Sequence, residues 1–391
     1  MSKRQRQAFG SVRRRLRLVG LLTTIALPPQ AFALHDLTRA FFSVGLDQAA
    51  YLLPFLFVAA NLPLVFVVAK RRMLRGPWGE LALLPFSVAG IGSLLYLPLG
   101  LLLRLALAAG LPPPWWLALV PFALILYGAL IGQRWMQPSR VEVPIEGLPS
   151  VFSGFRLVQL SDLHLGGFVS EARLRRIARH AARLHGDAVV VTGDIVDRDA
   201  QHARRAGEIL ASIPAPLGVF ACLGNHDHYA GAGRVAEDLR AAGVRLLVNQ
   251  GVALERGGEK IWLCGIDDIT FGGQDLRAAL EGRPDGVPAV LLAHNPNFFP
   301  AAARAGVALT LSGHTHGGQF GIFWLHRALS LARLITRYVA GLYQIGESYL
   351  YVSRGAGLVM PMRLGARPEV TELVLVPAAE PVSSSEPIPA A

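Results

Sequence analysis

Apolar residues are arranged in two different ways along this chain. Over the first third they form four long runs, at 16–34, 48–69, 80–103 and 114–132. Crossing a bilayer core as a helix takes roughly 20 apolar residues. The last three runs reach that length with few or no charges, and Gly and Pro inside them suit membrane helices. Trp78, Trp115, Trp116 and Trp135 lie at run ends, where interfacial aromatics belong. A buried helical bundle would need polar faces that these runs lack. The first run is broken at Pro28-Pro29 and ends Ala31-Phe32-Ala33, which resembles a signal-peptidase site. Read as uncleaved, it brings the membrane domain, residues 1–137, to about four transmembrane helices.

After Pro138 the runs shorten. Short stretches of four or five residues at 141–144 (alternating), 156–160, 188–191 and 219–223 read as strands, with helical spacing at 171–184, 201–212 and 231–242. Further strands are expected at 245–248, 260–266, 289–293, 307–311, 348–353 and 369–376. Strands alternating with helices, then a strand-rich second half, predict an α/β domain of stacked sheets covered by helices over 138–376. Residues 377–391, rich in Pro, Ser and Ala, read as a disordered tail. Between Phe320 and Tyr343, His326, Arg327, Ser330, Arg333 and Arg337 recur every three or four residues among apolar side chains. That spacing predicts an amphipathic helix with a cationic stripe, either packed on the domain or lying on a membrane.

Charge sharpens the division. Residues 1–140 carry 15 Lys and Arg against 3 Asp and Glu, whereas residues 141–391 carry 23 against 24. The basic excess flanks the apolar runs, so it favours a membrane, and the near-neutral second part disfavours nucleic acid. The basic arm, the Lys70 to Arg75 cluster and Arg134 fall on one side of the runs, which the positive-inside rule makes cytoplasmic. Residues 141–391 are therefore expected in the cytoplasm of a multi-pass protein of the inner (plasma) membrane. Cys222 and Cys264 are too few for a disulfide framework and read as buried thiols.

The chemistry lies at the ends of the short runs. Five of them finish in polar clusters: Asp162 and His164; Asp194 and Asp197; Asn225, His226 and Asp227; His294; and His314 with His316 inside Ser-Gly-His-Thr-His-Gly-Gly-Gln. Any one could be a turn or a packed histidine. Together they offer carboxylates, imidazoles and an amide, a mixture suited to two divalent cations, with His226 beside Asn225 as a spare imidazole.

These blocks, in this order, resemble the calcineurin-like metallophosphoesterases: Asp162-Leu163-His164, Gly193-Asp194-Ile195-Val196-Asp197, Gly224-Asn225-His226-Asp227, His294 and Gly313-His314-Thr315-His316. Leu311 to Gln319 and Tyr351-Val-Ser-Arg-Gly are similar to the bacterial membrane-linked branch. The resemblance covers roughly 150–376. It implies a four-layer fold of two packed sheets flanked by helices, and two metal ions (Mn, Fe or Zn). It further implies that Asp162, His164 and His316 hold the first metal and Asn225, His294 and His314 the second, with Asp194 bridging. His226 would stabilise the transition state or protonate the leaving oxygen, Asp227 would orient His226, and Asp197 would orient loops. Where branch members often have Glu-Tyr-Tyr after Asn-His, this chain has Asp227-His228-Tyr229, and His228 is expected at the surface.

The expected function is hydrolysis of a phosphodiester or pyrophosphate bond in a membrane lipid or lipid-linked diphosphate. The alternatives are a nucleotide or small-molecule phosphodiesterase or phosphatase, and a membrane scaffold or sensor with an inactive domain. The intact blocks argue against the last.

Overall fold

The computed structural model describes residues 29–34, 36, 84–85, 87–111, 115–271, 273–319 and 330–378. The expected run 48–69, most of 16–34, residues 320–329 and the tail beyond Ala378 lie outside the described residues.

The amino-terminal part contributes α1 (Gly92–Ala108) and α2 (Val120–Tyr127), with a 3-10 turn at Trp115–Leu119 before α2 and a π turn at Gly128–Gly132 after it. Asp36 accepts hydrogen bonds from the Tyr96 hydroxyl (2.8 Å) and from Arg104 (2.5 Å), which ties its segment to α1. The described residues do not show the expected transmembrane domain. Among the described residues no helix is long and apolar enough to cross a membrane. In the third run a π turn at Ser87–Ile91 leads directly into α1, so no single regular helix spans that run. In the fourth run the helix changes pitch at both ends of α2, so no single regular helix spans it.

The rest is a sandwich of two six-stranded sheets with helices outside. In chain order it comprises β1 (Gln137–Ile145), β2 (Phe155–Leu160), α3 (Glu171–Ala182), β3 (Ala188–Thr192), α4 (Ala203–Ala211), β4 (Val219–Cys222), α5 (Asn225–Ala230), α6 (Ala232–Ala241), β5 (Arg245–Leu246), β6 (Gln250–Arg256), β7 (Glu259–Gly265), α7 (Leu276–Leu280), β8 (Ala289–Leu292), α8 (Phe299–Arg304), β9 (Leu309–Ser312), β10 (Gly341–Ile345), β11 (Ser348–Val352) and β12 (Glu369–Pro377). The sheet orders are β1-β12-β2-β3-β4-β5 and β10-β11-β9-β8-β7-β6. In the first, β2, β3, β4 and β5 run parallel, and in the second β7, β8, β9 and β11 do.

The core lies where the sheets face each other. Leu157, Val190, Phe220, Leu263, Leu292, Leu311 and Leu373 meet there, alternate residues of strands buried on both faces. Val158, Val189 and Val191 point the other way, onto Ile177 of α3, Leu210 of α4 and Leu239 of α6. Trp262 and Leu291 do the same beneath Ala279 of α7 and Ala302 of α8. The result is four layers, helix–sheet–sheet–helix. Ser170 caps α3 by accepting from Arg173 N, satisfying one of the first-turn donors.

The segment after the paired histidines is not the expected long helix. Its described part is a short 3-10 turn at Leu331–Leu334, an irregular stretch, and β10. Tertiary bonds outcompete the helical spacing. Antiparallel pairing with β11 claims Gly341–Ile345, the Tyr343 hydroxyl accepts from Val339 N, and Thr336 Oγ1 donates to Asn297.

Candidate metal centre

Parallel strands place their carboxyl ends on one side. β2 delivers Asp162 and His164, β3 delivers Asp194 and Asp197, β4 leads to Asn225, His226 and Asp227, β8 leads to His294, and β9 to His314 and His316. The sheets are stitched together at this end. Gln159 Nε2 donates to Ser312 O (2.9 Å), and His294 Nδ1 lies 2.8 Å from Thr192 O. The latter bond requires hydrogen on Nδ1, so Nε2 is the nitrogen of His294 that faces the centre.

The loops are sharply bent there. Among the described residues eight non-glycine residues have positive φ, and five of them are Asp162, His164, Asp194, His314 and His316. Left-handed backbone at such residues is costly, and its clustering points to a functional constraint. Gly313 is needed for close approach, since a Cβ there would fall 1.9 Å from Ser161 Oγ and 2.3 Å from Asp162 Oδ2.

Two clusters of donor atoms result. In one, His164 Nε2 and His316 Nε2 are 3.1 Å apart, and Asp162 Oδ1 is 3.5 Å from His316 Nε2. In the other, Asn225 Oδ1 lies 2.9 Å from His314 Nδ1 and 3.2 Å from His294 Nε2. Between them, Asp194 Oδ2 is 3.6 Å from His164 Nε2 and 3.3 Å from His294 Nε2. Asp162, His164, Asp194 and His294 are buried. Burial works against the Asp194 charge, but the imidazoles of His294, His164 and His226 outweigh it and hold the carboxyl well below its usual range. Burial also works against charge on His294, yet Asp194 pushes it up to about 10. Burial and the neighbouring His294 keep His314 below its ordinary value, and burial, His164 and Arg363 do the same for His316. Buried carboxylates beside convergent imidazole nitrogens draw positive charge inward. The oxygen-and-nitrogen donor set fits divalent cations, and three overlapping groups of these side chains have ligand atoms within 4.8 Å.

The structure exchanges the roles expected of Asp197 and Asp227. Neighbouring residues on a helix point in different directions, so Asp227, at the third position of α5, cannot face His226. Its buried carboxylate instead accepts from Gly224 N (2.9 Å), Ile195 N (3.0 Å) and Val196 N (3.0 Å), locking two loops together. Burial and Asp194 push it up to about 6. The residue that touches His226 is Asp197, with Oδ1 2.9 Å from His226 Nδ1 and 3.7 Å from His164 Nδ1. Asp227→Ala should therefore act through the fold, leaving three backbone donors unpaired and costing about 3 kcal/mol or more. Equilibrium urea unfolding of metal-stripped protein measures this, and an unchanged midpoint would contradict it.

His228 is half-buried rather than at the surface, with Nε2 2.6 Å from Asp267 Oδ1. Sequence reading missed this pair and its neighbour Asp268, which is buried and whose Oδ2 has no hydrogen-bond partner among the described residues. The signal was present: Gly265-Ile266-Asp267-Asp268 is a sixth strand end carrying carboxylates. Arg363 was also missed. Its fully buried guanidinium lies 3.3 Å from His316 Nδ1, and burial lowers it to about 9.

Comparison with known proteins gives the same picture. Residues 155–318 match the calcineurin-like phosphoesterase family. A transmembrane protein with metallophosphoesterase domain from Danio rerio is 36% identical over 272 residues, which cover 66% of this chain and 61% of that protein. The chain thus spans less than two thirds of that relative's length. Metallophosphoesterase YkuE of Bacillus subtilis is 31% identical over 268 residues, covering 66% of this chain and 93% of its own length. Phosphodiesterase YaeI of Escherichia coli is 32% identical over 226 residues, 57% of this chain and 82% of its own. With five strand-end blocks gathered at one end of a two-sheet sandwich and one relative, 31% identical, matched over 93% of its own length, this chain belongs to the calcineurin-like phosphoesterase family.

Proposed function

We propose that the chain is a dinuclear, metal-dependent hydrolase of phosphodiester or pyrophosphate bonds. In this reading it sits in the inner membrane with its site on the cytoplasmic side and acts on a phospholipid or lipid-linked diphosphate. The observation that carries the hydrolase reading is Asp194 Oδ2, poised between His164 Nε2 at 3.6 Å and His294 Nε2 at 3.3 Å with donor atoms on either side. Asp162, His164 and His316 would hold one cation and Asn225, His294 and His314 the other, with Asp194 reaching both. Divalent cations in such a site polarise phosphoryl oxygens and activate water for attack on phosphorus. His226 has Nδ1 committed to Asp197, which leaves Nε2 to give a proton to the departing oxygen. Asp197 fixes that ring, and Asp227 holds the two loops at their working separation.

Three observations support the membrane part. Leu101, Leu102 and Leu105 of α1 are each more than half exposed. Leu334 and Ile335, beside Arg333 and Arg337, are 83% and 76% exposed just past the metal loop. The Thr315 hydroxyl donates to Val339 O, tying that segment to the loop. Apolar tips among arginines suit an anionic lipid surface.

Chelation should abolish hydrolysis of bis(p-nitrophenyl) phosphate, and Mn²⁺ should restore it. Leu334→Asp with Ile335→Asp should leave that soluble ester within ~2-fold while cutting attack on phospholipid in vesicles by ~10-fold or more, given what each buried aliphatic side chain is worth. Activity that survives exhaustive chelation would sink the metal reading. Equal loss on both substrates would sink the lipid one.

A further inference from the structure

The metal loop and the amino-terminal apolar segment meet at one residue, Arg363. Its side chain is among the largest fully buried ones described. Nη1 donates to the carbonyls of Arg354 (2.6 Å) and Ala366 (3.3 Å), and Nη2 donates to Gly357 O (2.7 Å). Nη2 also lies 3.3 Å from Nδ1 of His316, and Nε has no hydrogen-bond partner among the described residues. A buried guanidinium is costly and is kept where its planar fork holds something in place. Here the fork ties the 354–357 and 363–366 turns together and packs against one imidazole.

The backbone of the same residue is held from the other side. Arg363 N donates to Gly128 O at 3.1 Å. A Cβ at Gly132 would fall 2.3 Å from Arg363 O, and one at Gly128 would fall 3.0 Å from it. Met362 packs with Ile125 and Ala129. On the opposite flank, Gln319 Nε2 donates to Met360 O (3.2 Å) and Met362 O (3.0 Å), and Leu364 N donates to Gln319 O. Residues 360–364 are thus clamped between the end of the metal loop and the end of the apolar segment. At 132 only glycine permits that approach, and at 128 a larger residue would crowd the same carbonyl.

We propose that Arg363 is a positioning residue for His316, and that the Gly128–Gly132 turn makes cation affinity on the Asp162–His164–His316 side depend on docking of the apolar amino-terminal segment. This rests on the dinuclear reading above. Displacing the turn shifts the Arg363 backbone, the fork follows, and His316 loses its fixed ring angle while Asn225, His294 and His314 keep theirs. The apolar segment is then a control element as well as an anchor.

The test uses full-length protein in detergent, stripped of metal and titrated with Mn²⁺ by calorimetry, with low-temperature electron paramagnetic resonance to report the spin-coupled pair. Arg363→Met should weaken one of two cation sites by ~10–100-fold, the scale for residues that orient a ligand. The other site should stay within ~2-fold, and the coupled signal should vanish at one equivalent excess. Gly132→Ala, which favours helix locally and does not touch the site, should weaken the same site in the same direction. Arg363→Lys should recover part of the loss. Equal weakening of both sites, or no weakening in Gly132→Ala, would overturn the proposal. Wild-type protein that fails to bind two Mn²⁺ would instead overturn the dinuclear reading, and this one with it.

Discussion

Asp194→Asn should reduce hydrolysis of a chromogenic phosphodiester by ~10³-fold or more, the loss expected when several kcal/mol of charge stabilisation disappears. The substitution preserves shape. The amide oxygen can still accept from His226 N, which donates to Asp194 Oδ1 at 2.8 Å in the native chain. What goes is the negative charge shared by His164 and His294. Metal content should therefore fall, and the metal-stripped variant should still unfold cooperatively, at a urea concentration somewhat below that of the stripped native protein because the charge pair with His294 is lost. Mass-spectrometric metal analysis and the unfolding curve together decide it. Normal turnover with full occupancy would remove Asp194 from the centre.

His226→Ala should leave the cations bound and lower the rate by ~10²–10⁴-fold, the range for loss of a general acid. Its companion is Asp197→Asn. Burial works against charge on His226, but the hydrogen bond to Asp197 and the charges of Asp194 and Asp197 raise its pKa above the ordinary imidazole value. A raised pKa keeps the acid form to higher pH, so activity should fall only as pH rises through that displaced value. Removing the Asp197 charge should move the descending limb of the pH–kcat profile toward lower pH. The stability linkage has the same sign: the ion pair contributes fully below the unfolded pKa of ~6.5 and is lost as pH rises through the folded one. A limb that stays put in Asp197→Asn would assign it to another group.

The fold and the gathering of the candidate site residues were legible because parallel strands buried on both faces are nearly continuous apolar runs, and the polar clusters follow within a few residues. Orientation within a loop was not legible. Asp227 and Asp197 stand in equally good sequence positions, and only the handedness of α5 turns one toward the loops and leaves the other facing His226. Arg363 sits in Met-Pro-Met-Arg-Leu-Gly, where no spacing marks it, and its partner His316 is 47 residues away. β10 was lost to a helix reading because Arg333 and Arg337 keep helical intervals, whereas what forms there is decided by β11 across the sheet. β6 was lost because its burial is shallow, with Leu254 the one buried side chain between exposed ends.

The left-handed backbone at Asp162, His164, Asp194, His314 and His316 reaches beyond catalysis. Each such residue costs on the order of 1 kcal/mol relative to a relaxed conformation. Five together are comparable to a sizeable part of the 5–15 kcal/mol that separates a typical domain from its unfolded chain. Bound cations, which favour the folded state in proportion to their free concentration, offset that cost by mass action. The amount of this protein in a cell should then follow metal supply: under starvation the strained apo chain opens more often, and proteases remove it.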